Sequence, residues 1–276
     1  MKIFVRSALI LAVLFGMQFI GRAPLKASDQ DDDRGKNNQC SLLPSFADLK
    51  AALTAARNAA NGGFNLDMWG TVVNRDGIVC AVAFTGKDRG DEWPGSRVIS
   101  AQKANTANAF SLPTLALSTA NLYKAVQPGG SLFGLQESNP VDTGNAYKGP
   151  STNFGQANDP LVGLKIGGIN VFGGGLALYN KDHVLVGGVG VSGDTSCADH
   201  NIAWRTRNAL NLDYVPAGVA AKFANDPTHK DNIIFDIKPQ PGQMPGTSTS
   251  GFGHPHCGPG TEDGENMLAA NLPPTR

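Results

Sequence analysis

Trp69-Gly70-Thr71-Val72-Val73-Asn74-Arg75-Asp76-Gly77-Ile78-Val79-Cys80-Ala81-Val82-Ala83-Phe84 is the stretch that decides the fold. Trp69 to Val73 and Ile78 to Phe84 are runs of β-branched and aromatic residues. The Asn-Arg-Asp-Gly between them is a strong hairpin signal, because these residues tolerate the backbone angles a tight turn requires. Two adjacent strands therefore pair antiparallel. That argues against a doubly wound parallel sheet, in which a helix separates successive strands.

Working outward, Ser45 and Asp48 have the spacing of a capping box, and Leu49, Ala52, Leu53, Ala56 and Ala60 share one helical face. Asn61-Gly62-Gly63 stops that helix. After the charged loop 87–95, Ser96 caps a second helix over Arg97–Phe110. Pro113 interrupts the pattern, and a shorter helix is expected over Leu115–Val126. Residues 129–168 are rich in Gly, Asn, Pro and Ser with little periodicity. A loop of that length is expected to serve as a lid over a ligand cleft or to pack on a neighbouring subunit. Ile169–Phe172 and Leu176–Tyr179 read as strand pieces around Gly173-Gly174-Gly175. His183–Val191 is a further strand and Asp199–Leu210 a closing helix. Ile233–Ile237 is strand-like, and the tail from Pro239 reads as extended and mostly irregular. The expected architecture is α+β, an antiparallel β-sheet flanked by α-helices.

Among the 276 residues, 23 Lys and Arg balance 23 Asp and Glu, so no basic footprint for nucleic acid is present. With 41% hydrophobic residues the chain can build a core, and 34 Gly with 17 Pro predict many turns. Lys2 and Arg6 precede the apolar run Ala8–Ile20, and the small residues Ala23 and Ala27 follow. This is the pattern of a secretory signal peptide, too short to span a bilayer comfortably. No later stretch could span one, so no stable membrane insertion is expected. Removing residues 1–27, which hold Lys2, Arg6, Arg22, Lys26 and no acid, leaves 19 basic against 23 acidic residues. The expected organisation is a signal peptide over 1–27, a polar leader over 28–44, a domain over 45–212 with 129–168 inserted, and an irregular extension over 213–276. The expected compartment is periplasmic or extracellular.

Export makes the four cysteines a disulfide framework with three possible pairings. Cys197 opens the closing helix and Cys257 sits in a tail with little apolar material to dock it. Cys40 lies in the leader and Cys80 in the first hairpin. Cys197–Cys257 and Cys40–Cys80 are the expected pairs. Cys197 and His200 form C-x-x-H, and His254, His256 and Cys257 cluster. These are zinc or copper ligand types, but the spacing is not that of a standard structural zinc site. Gly188-Val189-Gly190-Val191-Ser192-Gly193 matches G-x-G-x-x-G, with Asp213 twenty residues on. The dinucleotide fingerprint needs that acid at the end of a second strand of a βαβ unit. Here it follows a helix, so the glycines are read as tight packing of a strand that turns into a helix. Ser192 lacks the G-x-S-x-G setting of a nucleophile elbow.

Four separated segments share a further pattern. They are Leu53-x-x-Ala56 with Ala59-Ala60 before the hairpin, Ser100–Ala107 running on to Phe110–Thr114, Phe172–Leu178, and Val186–Gly193. In this order they resemble the GlcG/HbpS-like haem-binding family, with its K-A-x-T-A-x-x-F-x-x-P-T helix, its G-G-G loop before a hairpin and its closing G-G-x-G-V-S-G strand. The resemblance covers roughly Leu49 to Leu210. It implies a profilin-like layering, a homo-oligomer, and binding of haem or a related tetrapyrrole in a non-catalytic sensing, storage or transfer role. The matched positions that would bind cofactor are Lys103, Thr106, Phe110, Thr114, Gly173, Gly174, Gly175 and Ser192. Some relatives use a histidine in the N-terminal half as iron ligand. This sequence has no histidine before His183, which moves the ligand to Thr114, His183, His200 or a tail histidine. His183 and His200 are the candidates taken here. The alternative functions are an accessory protein or enzyme acting on a small organic acid of the glycolate type, and a cofactor-free oligomeric interaction protein.

Overall fold

A computed structural model describes residues 40–258 and 261–276. The signal peptide over 1–27 and most of the leader lie outside the described residues.

The first helix, α1 (Phe46–Arg57), starts as the sequence predicts. Ser45 Oγ accepts from the Asp48 amide, and the Asp48 carboxylate accepts from the Ser45 amide. Strands β1 (Trp69–Asn74) and β2 (Val79–Phe84) form the expected hairpin. Asn74 Oδ1 accepts from the amides of Asp76 and Ile78 within the turn. Helix α2 (Ser96–Phe110) follows. Strands β3 (Gly175–Tyr179) and β4 (Leu185–Ser192) form a second hairpin, and α3 (Ser196–Ala209) closes the domain. The four strands make one antiparallel sheet in the order β2-β1-β4-β3. The fold is therefore α+β.

Alternation along the strands assigns the faces. Val72, Val189 and Val191 point to α1 and α3, where they meet Leu49, Leu53, Ile202 and Trp204. Trp69, Val73, Val79 and Val82 point the other way, toward Val98, Ala101 and Ala104 of α2. The sheet is thus buried on both faces between a helix pair and a single helix.

Residues 129–168 pack on their own chain. The Val79 amide donates to Leu164 O at 2.9 Å and the Gly163 amide donates to Val79 O at 2.8 Å, so the stretch covers the open side of β2. Arg97 anchors it. Its Nε donates to Asp159 Oδ2 at 2.9 Å, a second nitrogen pairs with Asp159 Oδ1, and the guanidinium lies 3.6 Å over the Phe154 ring. The outward side carries exposed Phe133, Tyr147 and Val162.

The helix expected over Leu115–Val126 begins later. Leu112 and Leu115 bond to each other, the Ala116 amide donates to Ala217 O, and Ser118 with Asn121 caps a short helical turn from Thr119. The reason is local, since Pro113 removes a donor and Ser118 is a better helix start than Leu115. Ile169–Phe172 is no strand. The Asn170 amide donates to Thr106 Oγ1 and Gly168 O accepts from Asn105 Nδ2, so helix side chains hold it and not a ladder.

The extension over 213–276 was expected to be irregular. It carries a short helix (Val219–Phe223), a two-stranded hairpin (Ile237–Gln240 and Gln243–Ser248) and a helix (Glu262–Ala270). Of the expected strand Ile233–Ile237, only Ile237 lies on that ladder. Three of the interactions that bind the extension to α3 are these. The Cys197–Cys257 disulfide is one. The second is a bidentate Arg207–Asp231 pair at 2.6 and 2.8 Å. The third is the Trp204 indole N–H, which donates to Pro273 O at 2.8 Å. Leu272 enters the main core. A covalent tie and a buried charge pair supply what apolar periodicity lacked.

Candidate functional site

The resemblance-bearing residues converge where α2 crosses β4. Gly188 and Gly190 face the helix. A Cβ on Gly190 would fall within 3.0 Å of the backbone atoms Ser100 O and Ala104 N, and one on Gly188 would collide with Ala104 O. Together with Ala101, Ala104 and Ala107 they let the helix lie directly on the strand. The G-x-G-x-x-G glycines are therefore packing glycines.

Lys103 is 2% exposed in this contact, and its ammonium donates to Asp199 Oδ2 at 2.7 Å and to Val191 O at 3.2 Å. Asp199 Oδ1 accepts from the Asp194 amide at 2.9 Å. Burial pushes the Asp199 carboxyl up to about 6, although Lys103 pulls it down. Gly174, at φ +117°, brings its carbonyl to the Val191 amide, and a side chain there would meet Val191 O and the Lys103 ammonium. Gly173 lies against the start of α3, and Gly175 lies under Thr119, whose hydroxyl accepts the Gly175 amide. Thr106 Oγ1 donates to Gln102 O at 2.7 Å. Phe110 packs with Leu122, Val126 and Val171. Ser192 is buried opposite Trp69, and Thr114 is exposed in the 112–115 turn. Lys103 and Gly174 meet at Asp199, Gly173 adjoins them, and Ser192 follows Val191, whose carbonyl accepts from the Lys103 ammonium. Phe110 and Thr114 stand apart from that group.

The histidines separate clearly. His200 is fully buried, with Nε2 against Asn232 Oδ1 at 3.1 Å, and burial pushes its imidazole down to about 3. His254 is buried and is pushed down to about 4 for the same reason. His229 contacts Leu272 O through one ring nitrogen and Asp226 through the other. His256 stacks on Phe235 and contacts Glu265 at 2.8 Å. His183 alone is exposed. Its Nδ1 meets Tyr214 O at 2.9 Å. A carbonyl only accepts, so Nδ1 carries the proton and the Nε2 lone pair faces outward. Such a second-sphere carbonyl is how metal-ligating histidines are oriented. The strained backbone at His183, with φ +58°, presents the ring at the tip of the β3–β4 turn.

Next to it Val184 and Val186 line a cavity of about 300 Å³ with Leu42, Leu43 and Arg75. Val184 and Leu42 are both more than half exposed. Larger cavities of about 500 and 540 Å³ lie between α1 and the end of α3, and in the extension near Phe223 and Phe235. None of these three cavities is lined by Lys103, Thr106, Phe110, Thr114, the Gly173–Gly175 loop or Ser192.

Sequence reasoning missed several buried groups. Asp159 and Asp231 gave no signal, because the arginines they pair with are distant in sequence. Glu92, read only as part of a charged loop, is 6% exposed. Its Oε1 accepts from Ser96 Oγ at 3.1 Å, while Oε2 and the nearby Trp69 Nε1 have no partner among the described residues. Burial pushes the Glu92 carboxyl up to about 8.

A double-sided antiparallel sheet, a small-residue contact between α2 and β4 and a buried lysine–aspartate pair define the class of domain. Residues 45–207 match the model of the family described as haem degrading protein HbpS-like, and the chain belongs to that family. Two solved structures are similar to it. One is the crystal structure of a PduOC:heme complex, 26% identical, covering 61% of this chain and 96% of that one at a TM-score of 0.41. The other is the Klebsiella pneumoniae protein ORFY, 24% identical, covering 60% and 90% at a TM-score of 0.40. Comparison with curated proteins gives no match.

Proposed function

We propose that this chain is an exported haem-binding protein that holds haem through His183 and does not break it down. The observation that carries the reading is the exposed His183 imidazole, oriented by Tyr214 O, in a member of the HbpS-like family. The residues fit the group. A porphyrin needs an apolar face, a nitrogen ligand and a cation for its propionates. Leu42, Leu43, Val184 and Val186 supply the first, His183 at the cavity's edge beside Val184 the second, and Arg75, whose Nη1 donates to Asn108 and which lines the cavity with Asp76, the third through its other nitrogens. Haem would supply a redox-active iron; His183 would hold it through a ring nitrogen and the apolar residues would shield its surface, at roughly 25 cal/mol per Å². A cavity of about 300 Å³ beside an exposed turn covers only part of a porphyrin. A second copy of the chain covers the rest, which favours a homo-oligomer. The signal-like N-terminus and two disulfides support a periplasmic or extracellular setting.

Titration of the purified protein with haem tests this. The expected result is a saturable Soret shift that His183→Ala removes while leaving the fold intact. Scattering without saturation, or unchanged binding in His183→Ala, refutes it. Bleaching of the Soret band under reductant and oxygen would assign breakdown and overturn the holding role.

A further inference from the structure

We propose that reduction of the Cys197–Cys257 disulfide converts the junction between α3 and the extension into a Zn²⁺ site with Cys197, Cys257 and His254 as ligands. The ligand atoms of these three residues already lie within 4.8 Å of one another. A tetrahedral ion with Zn–S bonds of ~2.3 Å needs its sulfurs roughly 3.8 Å apart. The three side chains therefore need only small rotations once the bond opens.

Two further observations point to a ligand. His254 is 1% exposed, and its Nδ1 meets Pro255 O at 2.7 Å. That carbonyl can only accept, so Nε2 carries the lone pair, and Nε2 lies 3.3 Å from Ser196 Oγ beside the disulfide. A histidine with one nitrogen tied to a backbone carbonyl and the other beside a hydroxyl and two sulfurs has the arrangement of a metal ligand and its outer shell. The Cys197 amide donates to Cys257 Sγ at 3.1 Å and Ser196 Oγ lies 3.4 Å from it. The amide contact favours a thiolate there, while the single Ser196 proton goes either to that sulfur or to His254 Nε2.

The site also survives loss of the covalent bond. The His254 amide donates to Ile234 O at 2.8 Å, the Cys257 amide donates to the Glu265 carboxylate, and the His254 ring packs 5.1 Å from Tyr123. These contacts tie residues 254–257 to Ile234, to the helix Glu262–Ala270 and to Tyr123 whether or not the sulfurs are joined. Two thiolates and one imidazole leave a fourth position for water, which is the donor set of an open zinc site.

The test uses the full chain and a phosphine reductant. The phosphine gives two electrons to the sulfur–sulfur bond, water supplies the two thiol protons, and the water oxygen ends on phosphorus. Zn²⁺ then displaces those two protons as the thiolates bind. The expected result is one Zn²⁺ per chain for the reduced protein and none for the oxidised. Bound Zn²⁺ should protect Cys197 and Cys257 from alkylation, read by peptide mapping, while Cys40 and Cys80 react. Replacing Zn²⁺ by Co²⁺ should give thiolate charge-transfer bands, and His254→Ala should weaken binding about tenfold or more. Refolding by Zn²⁺ of a chain that reduction had loosened also supports the site. Equal alkylation of all four cysteines with and without Zn²⁺, or Zn²⁺ binding retained in Cys197→Ser/Cys257→Ser, overturns it.

Discussion

Replacing Lys103 by Met leaves the Asp199 carboxyl without its cation in a place water does not reach. The methionine fills nearly the same volume, so the packing change is small. Removing one member of a buried ion pair typically costs about 3–5 kcal/mol. The pH dependence separates charge from packing. In the native chain Asp199 ionises near pH 6, already above its unfolded value because of burial. A raised value means stability that is fully present at low pH and lost as pH rises. Without the lysine the value moves higher still. Below pH 6 the carboxyl is neutral in both proteins and the penalty is at its smallest. Above pH 6 it grows by up to about 1.4 kcal/mol per pH unit, until the variant's own carboxyl ionises. Urea unfolding of both proteins at pH 5.5 and pH 8 measures it, and Lys103→Met/Asp199→Asn should recover more than half of the loss at pH 8. A penalty under about 1 kcal/mol at pH 8, or the same penalty at both pH values, refutes the assignment of Lys103 to a charge-pairing role.

Gly190→Ala should destabilise by about 1–3 kcal/mol or more, because the new methyl meets helix backbone and not a flexible side chain; a denaturation midpoint equal to the parent's contradicts the close packing of α2. Glu92→Gln should remove stability lost as pH rises, since the raised carboxyl is neutral below about 4.5 in both states and progressively resists ionisation up to about 8. Thermal unfolding from pH 5 to 8 reads this as a flatter profile in the variant, and parallel profiles count against it. Cys40→Ser/Cys80→Ser opens a loop of 40 residues and should lower stability by about 2–4 kcal/mol. An unchanged urea midpoint means that the leader contributes nothing to the fold.

The hairpins were legible because Asn74–Gly77 is turn chemistry between β-rich runs, and α1 because Ser45 and Asp48 announce its start. The long-range devices were not. Arg97 and Asp159 are 62 positions apart, and periodicity sees only neighbours. The extension looked irregular because its order comes from Cys257, Asp231 and Leu272, single residues that find distant partners. At the site, the shared motif marked Lys103, Gly174 and Ser192, which the fold places in its interior. His183 was one of five histidines in the sequence, and only the fold shows that it alone is exposed. Glu92 left no trace, because a glutamate in a charged loop looks the same whether it faces solvent or tryptophan.

Backbone groups on both margins of the sheet are taken. Along β2, residues 163–165 occupy the outward backbone groups of Val79. Along β3, the Gly175 amide goes to Thr119, Ala177 O to Arg207, and the Tyr179 amide and carbonyl to Leu212 and Tyr214. Where these groups are taken, a neighbour cannot add a strand. A homo-oligomer of the kind proposed would meet, along these stretches, through side chains and not through a shared ladder. Such contacts bring distinct turns face to face, and they can separate without unzipping a ladder.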